Sequence, residues 1–407
     1  MTGQRIAVTG IGLLTPCGMG TQPSWDGVCR GVSAAAKDPE LTGVPTDFSC
    51  RVPEFDPLAQ LGRQVWRMDR FVQLALAAAR EAVHDAGLTS TSWDRTRTAA
   101  VMGVGSESRA ALMEATHRYF QGTTDTISPL TIPRITTNMA AGEIAIDQGL
   151  LGPTLAVSTA CASGATALGT ARDLLLTKRC DVVLAGGTEA PCHPLTSLAF
   201  SRMKALSRRA DDPRHASRPF DRDRDGFVLG EAAGVLVLER EADARARGAS
   251  VHAYLAGYGT ATDAYHYAAS HPQGRGIIQA FRTALADADL APDDIHHVNA
   301  HGTSTPMNDL LEARALNHLF PTGPPPVTST KGVTGHTIGA AGAIEAAFCV
   351  LTLRDQRIPP TANHERTDPE IDLDVVTGAP REHRMRTVAS NSIGFGGHNA
   401  VVVFQAP

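Results

Sequence analysis

The chain has 407 residues, 43% of them hydrophobic and 19% charged, with 37 basic against 42 acidic side chains for a formal charge of -5. That composition excludes extended disorder, and the even scatter of 38 Gly and 25 Pro excludes a long coiled coil. Mild acidity without a long basic run argues against a nucleic-acid groove, and the length suits two or three domain-sized units or one large two-lobed fold.

The N-terminus reads as a polar start followed by a strand, Arg5-Ile-Ala-Val-Thr9, without the pattern of a secretion signal. Gly10-Ile-Gly12-Leu-Leu-Thr15 follows that strand in the manner of a dinucleotide fingerprint. Thr15 replaces the third glycine, however, and Pro16 interrupts the helix that must hold a pyrophosphate. A helix is predicted over residues 69–86, capped by Asp69 and stopped by Gly87, with a strand following at Ala99-Ala-Val-Met102. The longest uncharged run, residues 149–171, is rich in Gly, Ala, Ser and Thr and contains Pro153. It reads as a buried strand passing into a buried helix, not as a membrane span. Further strands are predicted at 182–184, 234–238, 297–299 and 400–404, and a helix at 274–287. This alternation predicts an α/β fold with at least one largely buried sheet. The helix ending His84-Asp-Ala-Gly-Leu88 is echoed by the one ending Ala286-Asp-Ala-Asp-Leu290. A duplicated α/β unit is expected, with a boundary near residues 240–255 and halves spanning 1–250 and 251–407.

Seven widely spaced cysteines with no CxxC pair support neither a disulfide framework nor a zinc ribbon and point to a reducing cytoplasm. Six of them read as small core residues. The seventh, Cys161 in Val157-Ser-Thr-Ala-Cys161-Ala-Ser-Gly164, lies where a strand turns sharply into an Ala/Gly-rich helix running to about Lys178. Free N-H groups and the helix dipole there are expected to favour thiolate, against a reference pKa of about 8.5. His301 follows a short apolar strand and precedes a Gly/Thr loop. His336 stands at the mouth of a second small-residue helix, with Lys331 five residues before it and Glu345 nine after it. One nucleophile with two imidazoles suggests carbonyl chemistry. No HExxH occurs and the histidines at 296, 297 and 301 have no partner at ligand spacing, so no catalytic metal is expected. Gly394-Phe-Gly-Gly397 lacks the Lys-Ser/Thr of a phosphate loop and reads as a tight turn. Residues 207–225 carry six arginines and five aspartates, a pattern typical of an ion-paired loop. Arg63, Arg67, Lys204, Arg208 and Arg209 are candidates for a basic rim facing an acidic partner.

The Cys161, His301 and His336 segments together resemble the β-ketoacyl-acyl-carrier-protein synthases, the condensing enzymes of fatty-acid and type II polyketide assembly. Ala185-Gly-Gly-Thr-Glu189, the run from Ser217 to Glu231 and the C-terminal Asn391-Ser-Ile-Gly-Phe-Gly-Gly-His-Asn399 extend the likeness over nearly the whole chain. The resemblance implies a thiolase-like fold: two similar halves, each with a mixed five-stranded sheet, in α-β-α-β-α layers. It implies acyl loading on Cys161, a malonyl thioester held by His301 and His336 during loss of carbon dioxide, and an oxyanion hole from the N-H groups of Cys161 and Phe395. Phe395 would also be a gate, Lys331 and Glu345 an ion pair orienting the histidines, and Thr303 and Thr305 contacts for the pantetheine arm. No bound cofactor is implied, since phosphopantetheine arrives on an acyl carrier protein. The other implied partner is a second subunit, identical or resembling a chain-length factor, in the cytoplasm and away from membranes.

Departures from the family pattern are His398 where the elongating enzymes usually have Thr, Ile393 where they often have Phe, and the polar Gly105-Ser-Glu-Ser-Arg109. If Ser106, Glu107 or Ser108 lined the acyl pocket, a saturated chain would leave a polar group unpaired at about 1 to 3 kcal/mol, favouring a polar or polyketide-like chain. A non-condensing chain-length subunit characteristically lacks the cysteine found here. A coenzyme-A-dependent thiolase needs a second cysteine near the C-terminus, and Gly394-Phe-Gly-Gly397 has none.

Overall fold

The computed structural model describes residues 5–89 and 91–407, which leaves the polar start, residues 1–4, outside the described residues. In chain order the elements that build the core are β1 (Ile6–Thr15), α1 (Arg70–Asp85), β2 (Thr98–Gly103), α2 (Met139–Gln148), β3 (Thr154–Val157), α3 (Ser163–Leu176), β4 (Val182–Glu189) and β5 (Ala232–Arg240). They continue with β6 (Ala253–Thr262), α4 (Arg275–Asp287), β7 (His297–Asn299), α5 (Pro306–Leu319), β8 (Val327–Thr328), α6 (Ala341–Asp355), β9 (Thr387–Gly394) and β10 (His398–Gln405).

The strands lie in the order β8-β7-β9-β10-β6-β1-β5-β4-β2-β3. Outward from the middle, β1-β5-β4-β2-β3 and β6-β10-β9-β7-β8 follow the same rank order. Each half begins with two antiparallel pairings and ends with two parallel ones. The halves meet through antiparallel pairing of β1 with β6, where Ile6 faces Leu255, Ala7 faces Tyr254 and Val8 faces Ala253. Hydrogen bonding therefore runs through both five-stranded sheets without a break.

The repeat extends to the glycines. A Cβ on Gly10 or Gly12 of β1 would lie 2.2 or 1.9 Å from the carbonyl oxygens of Ala82 and Ala78 on α1. On β6, Gly257 and Gly259 meet the oxygens of Ala284 and Ala280 on α4 at 2.3 and 2.0 Å. The glycines that imitate a dinucleotide fingerprint thus let a helix lie close against a strand. They also explain why β1 runs ten residues, fully buried, past the predicted start.

Helices α1 and α2 cover the outer face of the first half-sheet, α4 and α5 that of the second, and α3 and α6 pack together between the two. These are the α-β-α-β-α layers of a thiolase-like fold. A middle-layer helix needs an apolar surface all round, and α6 is buried from Ala341 to Leu353. Small residues bring the two central helices together: a Cβ on Gly164 would sit 2.6 Å from the Ala343 nitrogen, and one on Gly342 would sit 2.7 Å from that of Ala165.

One expectation fails. The strand before Cys161 is not buried: Thr154, Leu155 and Ala156 of β3 are exposed. β3 is last in the strand order and has a neighbour on one side only, so its apolar composition reflects an open edge.

Candidate active site

Beyond β3 the chain turns through Ala160, held at φ +51°, and α3 starts two residues after Cys161. Ser163 fixes this elbow, its hydroxyl accepting from the Thr159 N-H at 2.9 Å and donating to the Ala160 carbonyl at 2.6 Å. The end of β9 presses on the elbow, since a Cβ on Gly394 would lie 2.4 Å from the Thr159 oxygen and 3.3 Å from the Cys161 nitrogen. That contact sets Phe395 beside Cys161. Among the described residues, neither the Cys161 nor the Phe395 N-H has a carbonyl partner. Gly396 and Gly397, at φ +83° and +79°, complete the turn predicted there.

The thiol does not follow the sequence expectation. Cys161 is only 7% exposed, and burial pushes its pKa from an ordinary 9.0 to about 12, with Lys331 opposing the rise. A helix terminus is worth about 0.3 to 1 kcal/mol, at most ~2, which is too little to offset that desolvation.

His301 and His336 are buried with their rings 5.4 Å apart, centre to centre, at 85° to each other. Phe227 lies edge-on to His336 at 5.1 Å. Burial holds both imidazoles well below the usual histidine range, and the positive charge of Lys331 pushes them further down. Both rings are therefore neutral. Backbone bonds place His336: its N-H donates to the Val228 carbonyl at 2.7 Å, and the Gly230 N-H donates to its own carbonyl at 3.0 Å. The run from Ser217 to Glu231 thus serves as a brace for this histidine. The Lys331 ammonium donates to Glu345 Oε1 with both side chains buried, as the resemblance implies. The second Glu345 oxygen has no partner, and burial raises that carboxyl above its ordinary range.

Cys161, His301 and His336 line one cavity of about 490 Å³ together with Phe200, Phe227, Ile338, Ile393 and Phe395. Thr303 and Thr305 also line it, their hydroxyls 2.9 Å apart. Lys331 and Glu345 stand behind the histidines without reaching the cavity. Of the five basic candidates only Lys204 borders it. Arg67 is engaged with Glu143 at 2.7 to 3.1 Å, and Arg209 donates to the Asp223 carbonyl at 2.8 Å with Asp225 at 4.0 Å. Arg63 and Arg208 are exposed and away from the cavity lining.

The loop at residues 105–109 corrects another expectation. Ser106 donates to Glu189 at 2.7 Å, Glu107 pairs with Arg109 at 3.0 Å, and Ser108 donates to Asp69 at 2.7 Å while capping the next helix. None of the three lines the cavity. Their polarity is spent on local bonds, which leaves nothing on this loop to favour a polar acyl chain. Cys349 also stays outside the cavity, buried within α6.

Two carboxylates have a place in the site that the sequence does not assign them. Glu312, on α5, accepts from the N-H groups of His301 and Gly302 at 2.7 Å each and from the Asn391 amide at 2.6 Å. It ties the His301 loop to β9. Glu189, at the end of β4, accepts from Gly105, Ser106 and Gly339. For Glu312 the available signal is an acid set between Leu311 and Ala313 among core positions.

Comparison with known proteins gives a consistent result. Residues 3–244 match the family model described as "Beta-ketoacyl synthase, N-terminal domain", and residues 252–365 match "Beta-ketoacyl synthase, C-terminal domain". The chain is 40% identical over 412 residues to 3-oxoacyl-[acyl-carrier-protein] synthase 2 of Synechocystis sp., covering 99% of this chain and 98% of that protein. It is 39% identical over 407 residues to the enzyme of the same name from Staphylococcus aureus strain COL, with the same coverage. Among solved structures, the ishigamide ketosynthase/chain length factor is similar with a TM-score of 0.93 and 34% identity, covering 99% of both chains. A type II polyketide ketosynthase solved with its acyl-carrier protein, AntDE:AntF, has a TM-score of 0.92 at 31% identity, covering 99% of this chain and 100% of that one.

Proposed function

The chain belongs to the β-ketoacyl synthase family, acyltransferases that condense acyl groups, and we propose that it does so with Cys161 as the acyl carrier and His301 and His336 as the decarboxylation pair. The observation that carries this reading is the single cavity in which a thiol, two neutral imidazoles and two free N-H groups converge. Cys161 Sγ attacks the carbonyl of an acyl thioester on a carrier-protein phosphopantetheine arm, losing its proton, and the arm leaves as a thiol. The N-H groups of Cys161 and Phe395 receive the oxyanion, the kind of preorganised donor pair that often contributes the largest rate term. A malonyl thioester then enters, and its carbonyl oxygen accepts from the two imidazoles. Breaking the bond to the carboxylate releases carbon dioxide and leaves the electron pair as an enolate. Neutral rings stabilise that enolate by donation without supplying an acid strong enough to quench it. The enolate carbon attacks the acyl-Cys161 carbonyl, forming the carbon-carbon bond and expelling Cys161 as a thiolate, which takes a proton from solvent to become the thiol again.

Thr303 and Thr305 line the approach for the arm, Lys204 stands at its rim, and Phe395 is the gate beside the cysteine. Arg63 and Arg208 remain as carrier contacts, whereas Arg67 and Arg209 would first have to leave their acidic partners. The acyl chain is apolar where it meets Phe200, Ile338 and Ile393. A thiolase reading is disfavoured because Cys349 is sealed in α6. Residues 1–250 and 251–407 form the two halves, one supplying the nucleophile and the other the histidines.

The open edge of β3, with exposed Leu155 and Leu151 nearby and exposed Phe120 and Ile132 on the preceding segments, supports pairing with a second subunit, identical or chain-length-factor-like. No helix among the described residues is long and apolar enough to cross a membrane, and a cytoplasmic location fits the carrier-borne substrates. Intact-mass measurement tests the chemistry. Protein incubated with an acyl-carrier substrate gains one acyl mass, Cys161→Ala gains none, and Cys161→Gln still releases carbon dioxide from malonyl-carrier protein. An unchanged wild-type mass would remove the proposal.

A further inference from the structure

We infer that Glu189 is a positioning residue that shapes the acyl cavity by holding Ile338 in its place on the wall. The inference rests on the reading of Cys161 as the acyl carrier, because it concerns the wall against which that chain lies.

Ile338 has φ +46°. A β-branched residue in the left-handed region is a genuine outlier and persists only where its surroundings over-determine it. Its side chain nevertheless lines the cavity and packs in one apolar cluster with Cys161, Leu206, Phe227 and Leu229. The next residue supplies the constraint. The Gly339 N-H donates to Glu189 Oε2 at 3.1 Å, and the same oxygen accepts from the Gly105 N-H at 2.6 Å. The other oxygen takes the Ser106 hydroxyl at 2.7 Å. One buried carboxylate at the end of β4 therefore locks two loops together, the one after β2 and the one that carries His336.

The fit leaves no slack. A Cβ on Gly105 would lie 2.8 Å from Glu189 Oε2 and 3.0 Å from Ile338 Cγ2, and one on Gly339 would lie 2.5 Å from the same carboxylate oxygen. Apart from burial, the influences on Glu189 are hydrogen-bond donors, with no cation among the leading ones. A glutamine in its place can accept from part of this set but must turn its NH2 group toward one of the donors. That breaks the clamp with little change in volume. Glu189 itself does not line the cavity, so its effect on the acyl chain passes through Ile338.

The test is a double-mutant cycle read as the rate of acyl loading on Cys161 by intact mass, over acyl-carrier thioesters of increasing chain length. Glu189→Gln in the wild-type background is expected to slow loading about tenfold and to alter chain-length preference, the size of effect found for coupled neighbours. Ile338→Gly supplies a residue that adopts positive φ unaided. In that background Glu189→Gln is expected to change loading by less than about twofold. Equal losses in both backgrounds would overturn the inference, because a general structural role for Glu189 gives additivity. Should Glu189→Gln fail to fold, Glu189→Asp, one methylene too short to span both loops, is expected to show the same non-additivity. A wild-type protein that gains no acyl mass removes the reading of Cys161 and this inference with it. Normal loading with an additive cycle removes the inference alone.

Discussion

Raising the pH from about 7 to about 9 during acyl loading is expected to speed the reaction about a hundredfold, with no plateau in that interval. Burial takes the Cys161 thiol from 9.0 to about 12, an effect of about 4 kcal/mol at ~1.4 kcal/mol per tenfold. The helix terminus returns ~2 kcal/mol at most, so the thiol remains the resting form. Even with that return the thiolate fraction near pH 7 stays below about 10⁻³ and grows tenfold with each pH unit. Rapid-quench mass spectrometry of acyl-Cys161, with carrier concentration held saturating, reads the rate directly. The histidines supply a control within the same cavity. Both are neutral over this whole range, so decarboxylation by Cys161→Gln is expected to stay flat while loading climbs. A loading profile that levels off near pH 8 would show a thiolate already stabilised at the elbow and would refute the dominance of burial. A bell-shaped decarboxylation profile centred near pH 7 would show that one ring titrates in place.

Other substitutions separate the supports of the site. Lys331→Met leaves Glu345 buried without its cation, a loss of about 3 to 5 kcal/mol. Because burial raises the Glu345 pKa, its protonated form is the one the fold tolerates. The stability lost in Lys331→Met is thus smaller below the ordinary carboxylate pKa and grows as pH rises, and an equal difference in urea midpoint between variant and wild type at acidic and alkaline pH would contradict this. Glu312→Ala strands the buried N-H groups of His301 and Gly302, each at about 1 to 3 kcal/mol. A clear fall in Tm is expected, together with loss of malonyl decarboxylation. Gly394→Ala forces a methyl to 2.4 Å from the Thr159 oxygen. It should slow acyl loading of Cys161 at least about tenfold through displacement of the elbow while the far-UV circular dichroism stays native.

The parts of the site legible in the sequence are those that announce themselves over a few neighbouring residues. Cys161 could be found because strand, small-residue turn and helix are consecutive. His301 and His336 could be found because each ends a short segment before glycine-rich chain. The helix at α1 was legible to within a residue, since its cap, periodicity and stop are local. The errors have the opposite origin. The exposure of β3 depends on its having no outer neighbour, a fact of sheet order that its own four residues do not carry. The direction of the Cys161 shift depends on how completely Phe200, Phe227 and Ile338 exclude water, which no spacing reveals. The sequence leaves open whether Ser106 and Ser108 face the cavity, because the acceptors that turn them away, Glu189 and Asp69, lie 83 and 39 residues off.

Glu189, Glu312 and Glu345 share one physical role that explains why three acids sit around a cavity whose reactive groups are neutral. Each is buried, and burial raises the pKa of each. Glu189 accepts from Gly339 and, on the loop after β2, from Gly105 and Ser106. Glu312 accepts from His301, Gly302 and Asn391, and Glu345 takes Lys331 on one oxygen. They hold the backbone of the reacting segments without exposing a carboxylate to the cavity. An acid exposed there would repel a malonyl carboxylate before its loss, and a protonated one would offer the enolate a proton. Lys331 exerts its influence on the cavity from behind the histidines, and its effect is to keep their rings unprotonated. The arrangement therefore separates two tasks that compete in an open site. Charge is used for positioning in the layer behind the cavity, while neutral donors face the position where charge develops during reaction.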